Sequence, residues 1–321
     1  SSVSQYRTMQ FTWVNMERRL QWAVQGFNTT QFYYGQLEGV FYDPAFSGLI
    51  DRDLATATRT MQGGTMFAIY PFNRYRRVEL FGGFSRYQER YNDPNLEAYS
   101  NQYQQQQFGR SLFNNGSMAP IGAAFVQETT IFREFGPLSG STMRLSYEVA
   151  PKVGGLLSRQ TLDGDARKYL RLGATGLIAL RARGFKSWGS NPDYTYFGGN
   201  SELRGYEYLQ FVGQNAFFTN AELRFPLIDA MATPIGVLGG VRATLFAGLG
   251  GAHFEGTPFQ VFRRDTTSER PVVDYDDNDQ PVYGAPVTIS GNRLIDARAS
   301  YGISLATFAL GFPVHFDWSW K

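Results

Sequence analysis

The sequence predicts an all-β protein, a transmembrane antiparallel β-barrel, and three observations lead to this prediction. Apolar and polar residues alternate with a period of two along many segments, as they do in strands with one apolar face. The connections between these segments alternate between short and long. Aromatic residues make up 16% of the chain, while charged residues make up only 18%, below the ~25% of a typical soluble domain.

About twelve segments fit the strand pattern, and several exceed the ~9–11 residues that cross a bilayer with tilt. In the last of them, aromatic Phe316, Trp318 and Trp320 alternate with polar residues. The predicted strands, in chain order, are 6–16, 19–34, 59–71, 75–91, 118–134, 142–150, 164–172, 176–187, 215–227, 240–254, 293–309 and 313–321.

The lengths of the connections favour a membrane barrel over a soluble β-protein, which shows the same alternation. Short turns such as "ERR", "PFNR", "FGPLSGS", "GAT", "IDAMATPIG" and "GFP" alternate with long connections at about 35–58, 92–117, 151–163, 188–214 and 255–292. Outer-membrane barrels have short periplasmic turns and long extracellular loops. We therefore expect a bacterial outer-membrane protein with its long loops extracellular, its short turns periplasmic, and outer-membrane lipid around it. The long connections are polar and are expected to be exposed loops.

Composition excludes several other classes of protein. The chain has no cysteine, so neither disulfides nor thiolate metal sites are available. A formal net charge of +2, without a basic stripe, does not suggest nucleic-acid binding. Among the 30 basic residues only four are lysines (Lys152, Lys168, Lys186 and Lys321). The arginine excess suits internal networks with carboxylates, although a GC-rich genome would produce the same bias.

The alternation of turns also carries an expectation about the ends of the chain. If the short turns are periplasmic, the first and last predicted strands both have their free ends outside. Native single-chain barrels normally keep both termini in the periplasm, so we expect residues 1–321 to be one barrel domain that is incomplete at both ends.

One connection is unusual, because "FGGNSELRGYEYLQF" (197–211) lies between two strand-like segments and is followed by the alternating "NAELRFPL". These residues resemble the hallmark segment of the BamA-like surface-antigen barrels, the outer-membrane assembly and translocation superfamily. The resemblance is most specific over about 160–254 and weaker to 321. It implies a barrel of about sixteen strands, of which the twelve here are the fourth to the fifteenth. It also implies that the extracellular loop 188–214 is inserted into the barrel lumen.

The resemblance assigns a lock to this loop. Arg204, Gly205 and Tyr206 form its Arg-Gly-aromatic tip, and Glu222 matches the first of two acidic partners of the arginine. An arginine fork can bind a carboxylate through two hydrogen bonds, and a glycine allows close backbone approach. The loop glycines Gly198 and Gly199 precede the tip. The position expected for the second carboxylate is Gly248, a departure from the pattern for which Asp296 or Glu202 are candidate substitutes.

Catalytic chemistry is not expected. His315, Asp317 and Ser319 share a strand face, but neighbours on one face stand ~6–7 Å apart, too far for the direct hydrogen bonds of a triad. The run "DYDDND" (274–279) lacks the glycine and glutamate of an EF-hand loop. His253 has no metal-ligand cluster at a plausible spacing. We therefore expect no catalytic residue, no metal and no cofactor.

The resemblance implies a translocase or insertase that passes client outer-membrane proteins through a seam between the first and last strands. Its partners would be client outer-membrane proteins or the subunits of an envelope complex. A passive channel or a structural barrel subunit of an envelope complex is the alternative, and a soluble β-rich binding protein is disfavoured by the loop lengths.

Overall fold

A computed structural model describes residues 8–33, 57–109, 111, 115–133, 136–173, 175–233, 236–275, 280–309 and 312–321. Strands dominate these residues, and they contain one helix. The elements are β1 Met9–Asn15, β2 Gln21–Tyr33, β3 Ala57–Asn73, β4 Arg76–Tyr91, α1 Pro94–Phe108, β5 Gly116–Met118, β6 Ile121–Glu128, β7 Ile131–Arg133, β8 Gly136–Ala150, β9 Arg159–Leu172, β10 Gly176–Trp188, β11 Thr195–Phe197, β12 Phe211–Gly213, β13 Asn215–Thr233, β14 Gly236–His253, β15 Phe262–Glu269, β16 Val272–Tyr275, β17 Pro281–Tyr283, β18 Val287–Leu294, β19 Arg298–Ala309 and β20 Phe312–Trp320.

Twelve long strands form one antiparallel sheet in which each strand pairs with the next along the chain. The order is β1-β2-β3-β4-β6-β8-β9-β10-β13-β14-β19-β20, with the short β5 beside β4 and the short β7 beside β8. These twelve correspond one for one to the predicted strands, so the predicted architecture is confirmed. Within the described residues β1 pairs only with β2 and β20 only with β19, and the sheet is open between them.

The strand register gives the sheet an apolar face and a polar face. Trp318 lies opposite Ile303 and Trp320 opposite Tyr301 on the apolar face. Asp317 lies opposite a serine of β19 on the polar face. Large apolar side chains along the apolar face are exposed to solvent, among them Tyr301 at 59% and Trp318 at 50%. This distribution is unfavourable in water and suits strands whose outer face contacts lipid.

The helix α1 was not predicted, because its segment has the polar, repetitive composition of a loop. Asp93 caps the N-terminus by accepting a hydrogen bond from the amide of Asn95 at 2.8 Å, and Pro94 occupies the first turn. Ser100 is completely buried and holds the helix to β4 through the Tyr91 hydroxyl, 2.8 Å away. Local capping and a buried hydroxyl contact thus produce order that hydrophobic periodicity could not reveal.

Other boundaries also differ from the prediction. The stretches "FGPLSGS" and "IDAMATPIG" are mostly strand, since β8 begins at Gly136 and β13 continues to Thr233. Glycine and proline suggested turns there, but the antiparallel ladder runs on, with a bulge between Pro226 and Ile228. The connection 255–292 contains two hairpins, β15 with β18 and β16 with β17. Most of 35–58 and the last four residues of "DYDDND" (276–279) lie outside the described residues.

Across the described ranges, α1 lacks the length and apolar character that a membrane-crossing helix requires.

Candidate functional site

The connection between β10 and β13 folds over the polar face of the sheet. Its two ends pair as the short hairpin β11–β12, and the segment between them carries its own apolar cluster. Phe197, 1% exposed, stacks on Phe211 with 4.9 Å between ring centroids and also contacts Phe218 of β13. Leu203 is fully buried in the same cluster. Burying this apolar surface fixes the loop against the sheet.

Arg204 joins the loop tip to two strands. Its Nη2 lies 3.0 Å from Oε1 of Glu222 on β13, and its guanidinium lies 4.5 Å from the ring centroid of Phe246 on β14. Its Nε donates to the carbonyl of Asn200 within the loop, which holds the arginine in this orientation. Glu222 also binds Arg224, with Nη2 to Oε2 at 2.6 Å. The carboxylate is therefore shared by an arginine of the loop and one of its own strand.

The next two residues, Gly205 and Tyr206, contact the last two strands of the sheet, β20 and β19. Gly205 has φ 84°, and a Cβ at this position would lie 2.8 Å from Oγ of Ser319 on β20. The hydroxyl of Tyr206 donates to the carbonyl of Ala299 on β19 at 3.0 Å. Burial raises the pKa of Tyr206, only partly opposed by the nearby Arg298, so the phenol keeps its proton and its hydrogen bond.

The paired glycines start the turn that leads to Arg204. Gly198 has φ 138° and Gly199 has φ 86°, conformations that other residues rarely adopt. The amide of Gly198 donates to Oε2 of Glu202 at 2.8 Å, and a Cβ on Gly198 would lie only 2.5 Å from the carbonyl oxygen of Glu207. The chain can therefore form this turn only with glycine at its start.

At Gly248, where the resemblance placed a second acidic partner, the ends of two neighbouring side chains fill the space that a side chain would take. A Cβ would lie 2.7 Å from Oδ1 of Asn220 and 2.8 Å from Cδ1 of Leu203. Among the described residues, neither suggested substitute forms an ion pair with Arg204. Glu202 lies 3.7 Å from Arg183, and Asp296 accepts a hydrogen bond from the amide of Gln260.

The ring of Phe246 takes the place of a second carboxylate beside Arg204. Arginine stacks favourably on aromatic faces, and a partly desolvated contact of this kind contributes about 0.5–2 kcal/mol. Nη1 of Arg204 is buried without a hydrogen-bond partner among the described residues, and so is Oγ of Ser300. Both residues line a cavity of about 10 Å³.

A second group of ion pairs, which was not predicted from the sequence, holds the opposite side of the loop. Arg181 lies 2.7 Å from Asp165 and donates to the carbonyl of Ser201, while Arg183 lies between Asp163 at 3.3 Å and Glu202 of the loop. The alternating charges of "LDGDARKY" and "LRARG" are the sequence feature from which these ion pairs could have been predicted. Every ion pair found on the polar face uses arginine, which favours the carboxylate-network interpretation of the arginine excess.

Neither histidine takes part in the contacts described for this loop tip. His253 ends β14 and stacks on Phe259 with 4.5 Å between ring centroids, whereas His315 lies in β20. In the part of the chain that is described, no cluster of three or more histidine, aspartate or glutamate side chains could hold a metal ion. The site thus consists of hydrogen bonds, ion pairs and ring contacts.

An antiparallel meander with an exposed apolar face, and a polar face covered by a loop, defines a transmembrane β-barrel protein of the outer membrane. Residues 4–321 match the family model of the Omp85 superfamily domain, so the chain belongs to the Omp85 superfamily. The resemblance noted in the sequence is thereby confirmed.

Solved structures that are similar to this chain include one of BamA and one of CdiB. BamA from Haemophilus ducreyi lacking POTRA domains 1-3 has a TM-score of 0.60 and 13% identity, covering 97% of this chain and 57% of that one. CdiB from Acinetobacter baumannii has a TM-score of 0.45 and 13% identity, covering 92% of this chain and 42% of that one. The chain thus spans little more than half of the BamA chain, and the likeness concerns the fold. No curated protein sequence matches it.

Proposed function

We propose that this protein inserts or translocates other proteins at the outer membrane, and that loop 188–214 is a releasable lock inside its barrel. The observation that carries the proposal is the anchoring of the loop tip through Arg204 to Glu222 and Phe246. In this arrangement the polar face lines the lumen, the long loops are extracellular and the short turns are periplasmic.

The contacts of the loop support a lock because they span much of the sheet. The loop touches β10 through Arg183, β13 through Glu222, β14 through Phe246, β19 through the Tyr206 hydroxyl, and β20 beside Gly205. One segment therefore fixes strands that lie up to four places apart. All these contacts are non-covalent, so they can break and re-form.

The shared carboxylate makes the lock releasable at moderate cost. Removing one member of a buried ion pair usually costs about 3–5 kcal/mol, because the remaining charge is left unpaired. Here Glu222 keeps Arg224 when Arg204 departs, so the acidic group is never left alone on the polar face. The loop can then leave and return without an uncompensated buried charge.

The proposed substrates are unfolded outer-membrane proteins or subunits of an envelope complex, moved without covalent chemistry.

The test reconstitutes the full-length protein in liposomes and adds a small outer-membrane barrel unfolded in urea. Folding of the client is followed by its heat-modifiable gel mobility. Unmodified protein should accelerate folding over protein-free liposomes, and Arg204→Ala should change that rate while Arg224→Ala changes it less.

Two results would contradict the proposal. One is client folding at the same rate with and without the protein. The other is a steady large conductance in planar bilayers with no effect on client folding, which would support the passive channel instead.

A further inference from the structure

Two adjacent short turns carry a cluster of arginines that the site above does not use. Arg18 and Arg19 lie between β1 and β2, while Arg74 and Arg76 lie at the turn between β3 and β4. Pairing of Gln21 with Ile69 brings the two turns side by side. Arg19 joins them directly, since its Nε and Nη2 donate to the carbonyls of residues 71 and 72 at 2.9 and 2.7 Å.

These arginines differ from those of the polar face, because none of them has an acidic partner among the described residues. On the polar face the arginines with a carboxylate within 4.0 Å are Arg59, Arg77, Arg144, Arg159, Arg167, Arg181, Arg183, Arg204 and Arg224. The ion pairs of the described residues include none of the four turn arginines.

Each of the four is exposed, and their contacts leave the positive charge uncompensated. Arg74 lies over the ring of Tyr75 at 4.6 Å, and Arg76 donates to the side-chain amide of Gln127. The one acidic residue in these turns is Glu17, which is also exposed. Four arginines and one glutamate leave a local charge of +3 on the protein.

Exposed apolar side chains border the charged cluster on the apolar face of the sheet. Tyr70 and Phe72 contact each other with 5.7 Å between centroids, and the guanidinium of Arg19 lies 4.8 Å from the centre of the Tyr70 ring. Phe72 is 50% exposed and Leu20 is 49% exposed. The cluster therefore lies where the lipid-contacting face ends, and aromatic residues mark that boundary in membrane proteins.

We propose that these two turns form a binding site for an anionic phospholipid. Arg18, Arg74 and Arg76 bind the phosphate of the headgroup, since guanidinium groups bind phosphate oxygens through paired, charge-assisted hydrogen bonds. The acyl chains lie along Phe72 and Leu20. Continuity with the lipid-contacting face favours a phospholipid over an acidic protein segment, which would leave this apolar surface uncovered.

Native mass spectrometry of the full-length protein tests the proposal. Delipidated protein in detergent receives equal mole fractions of phosphatidylglycerol and phosphatidylethanolamine, and the retained lipids are counted. Unmodified protein should retain phosphatidylglycerol preferentially. Because one basic residue near an anionic surface contributes about fivefold in affinity, the variant Arg18→Gln/Arg74→Gln/Arg76→Gln should lose at least about tenfold of this preference. Arg19 is kept because it holds the two turns together.

The matched control is Arg263→Gln/Arg264→Gln/Arg270→Gln, which removes the same charge from exposed positions at the hairpin of β15. It should retain the lipid preference. The proposal is overturned if the turn variant binds phosphatidylglycerol as well as the unmodified protein, or if the control loses the preference equally. If the turn variant does not fold, the lipid preference of the unmodified protein is measured at a series of salt concentrations instead. A preference unchanged between about 50 and about 500 mM salt would contradict binding by exposed charges.

Discussion

Replacing Arg204 by alanine should open the loop while the sheet stays folded. The change removes the ion pair to Glu222, the hydrogen bond to Asn200 and the contact with the Phe246 ring. A hydrogen bond to a charged group contributes about 1.5–3 kcal/mol, and the ring contact about 0.5–2 kcal/mol. Since Glu222 keeps Arg224, no further penalty arises from an orphaned carboxylate. Because contributions that share one side chain do not add fully, we expect the free energy of local opening to fall by about 2–3 kcal/mol, the lower part of their sum.

Proteolysis measures this opening through the cut after Phe197, scored by peptide mapping apart from cleavage at Tyr208, which is 79% exposed in the closed loop. Phe197 is 1% exposed, so chymotrypsin can cleave after it only when the loop leaves the polar face. When opening is fast relative to cleavage, the cleavage rate follows the open population, and about 2–3 kcal/mol corresponds to a rise of roughly 30- to 150-fold. Trypsin is unsuitable, because the substitution itself removes a tryptic site. Heat-modifiable gel mobility verifies that the barrel remains folded.

Arg224→Ala is the matched control, since it removes the other arginine from Glu222 but no contact of the loop. It should change the cleavage rate much less than Arg204→Ala. Equal cleavage kinetics for Arg204→Ala and the unmodified protein would refute the argument that this arginine anchors the loop.

Three further predictions concern the same loop. Gly205→Ala should loosen the loop tip more than Gly154→Ala, and the rate of the chymotryptic cut after Phe197 measures the difference. Both glycines have a positive φ, but an added Cβ meets Oγ of a serine on β20 only at Gly205. Tyr206→Phe should weaken loop closure by about 0.5–1.5 kcal/mol near neutral pH by removing a hydrogen bond. Because the pKa of Tyr206 is higher in the folded than in the unfolded protein, the free energy that its hydroxyl contributes to loop closure is complete below the unfolded pKa near 10 and is lost as the pH rises through the folded pKa. Hydrogen exchange of the loop should therefore differ between Tyr206→Phe and the unmodified protein at neutral pH but not at strongly alkaline pH. Gly248→Asp should loosen the loop and speed the cut after Phe197, because its Cβ would lie 2.7 Å from Oδ1 of Asn220 and 2.8 Å from Cδ1 of Leu203, so both side chains must shift; an unimpaired variant would show that this space is available.

The arginines of this chain serve two environments. On the polar face they alternate with carboxylates across neighbouring strands, as Arg181 does with Asp165. Such pairing satisfies charges that are partly withdrawn from water. At the turns beside Phe72 they are exposed and form no ion pair within the described part of the chain, a position suited to headgroup phosphates. Both uses exploit a side chain that stays charged and binds oxyanions through a planar fork.

Strand positions could be predicted because alternation along each strand depends only on which side chains point towards lipid and which belong to the polar face. Turn boundaries could not be predicted so well. The stretch "IDAMATPIG" (228–236) was predicted as a short turn, yet β13 continues to Thr233 because pairing with β14 satisfies its backbone. The helix α1 escaped prediction because its stability comes from a cap at Asp93 and a buried contact at Ser100.

By itself, the sequence determined the fold class, the order of the twelve strands and the family resemblance, since these follow from periodicity and from one local motif. Only the tertiary structure decided what surrounds Arg204. Strand register places Glu222 opposite Phe246, and loop packing brings Leu203 against Gly248, so a ring stands where a second carboxylate was expected. These contacts join residues far apart in the chain, and their distances depend on pairing and packing that local sequence does not encode.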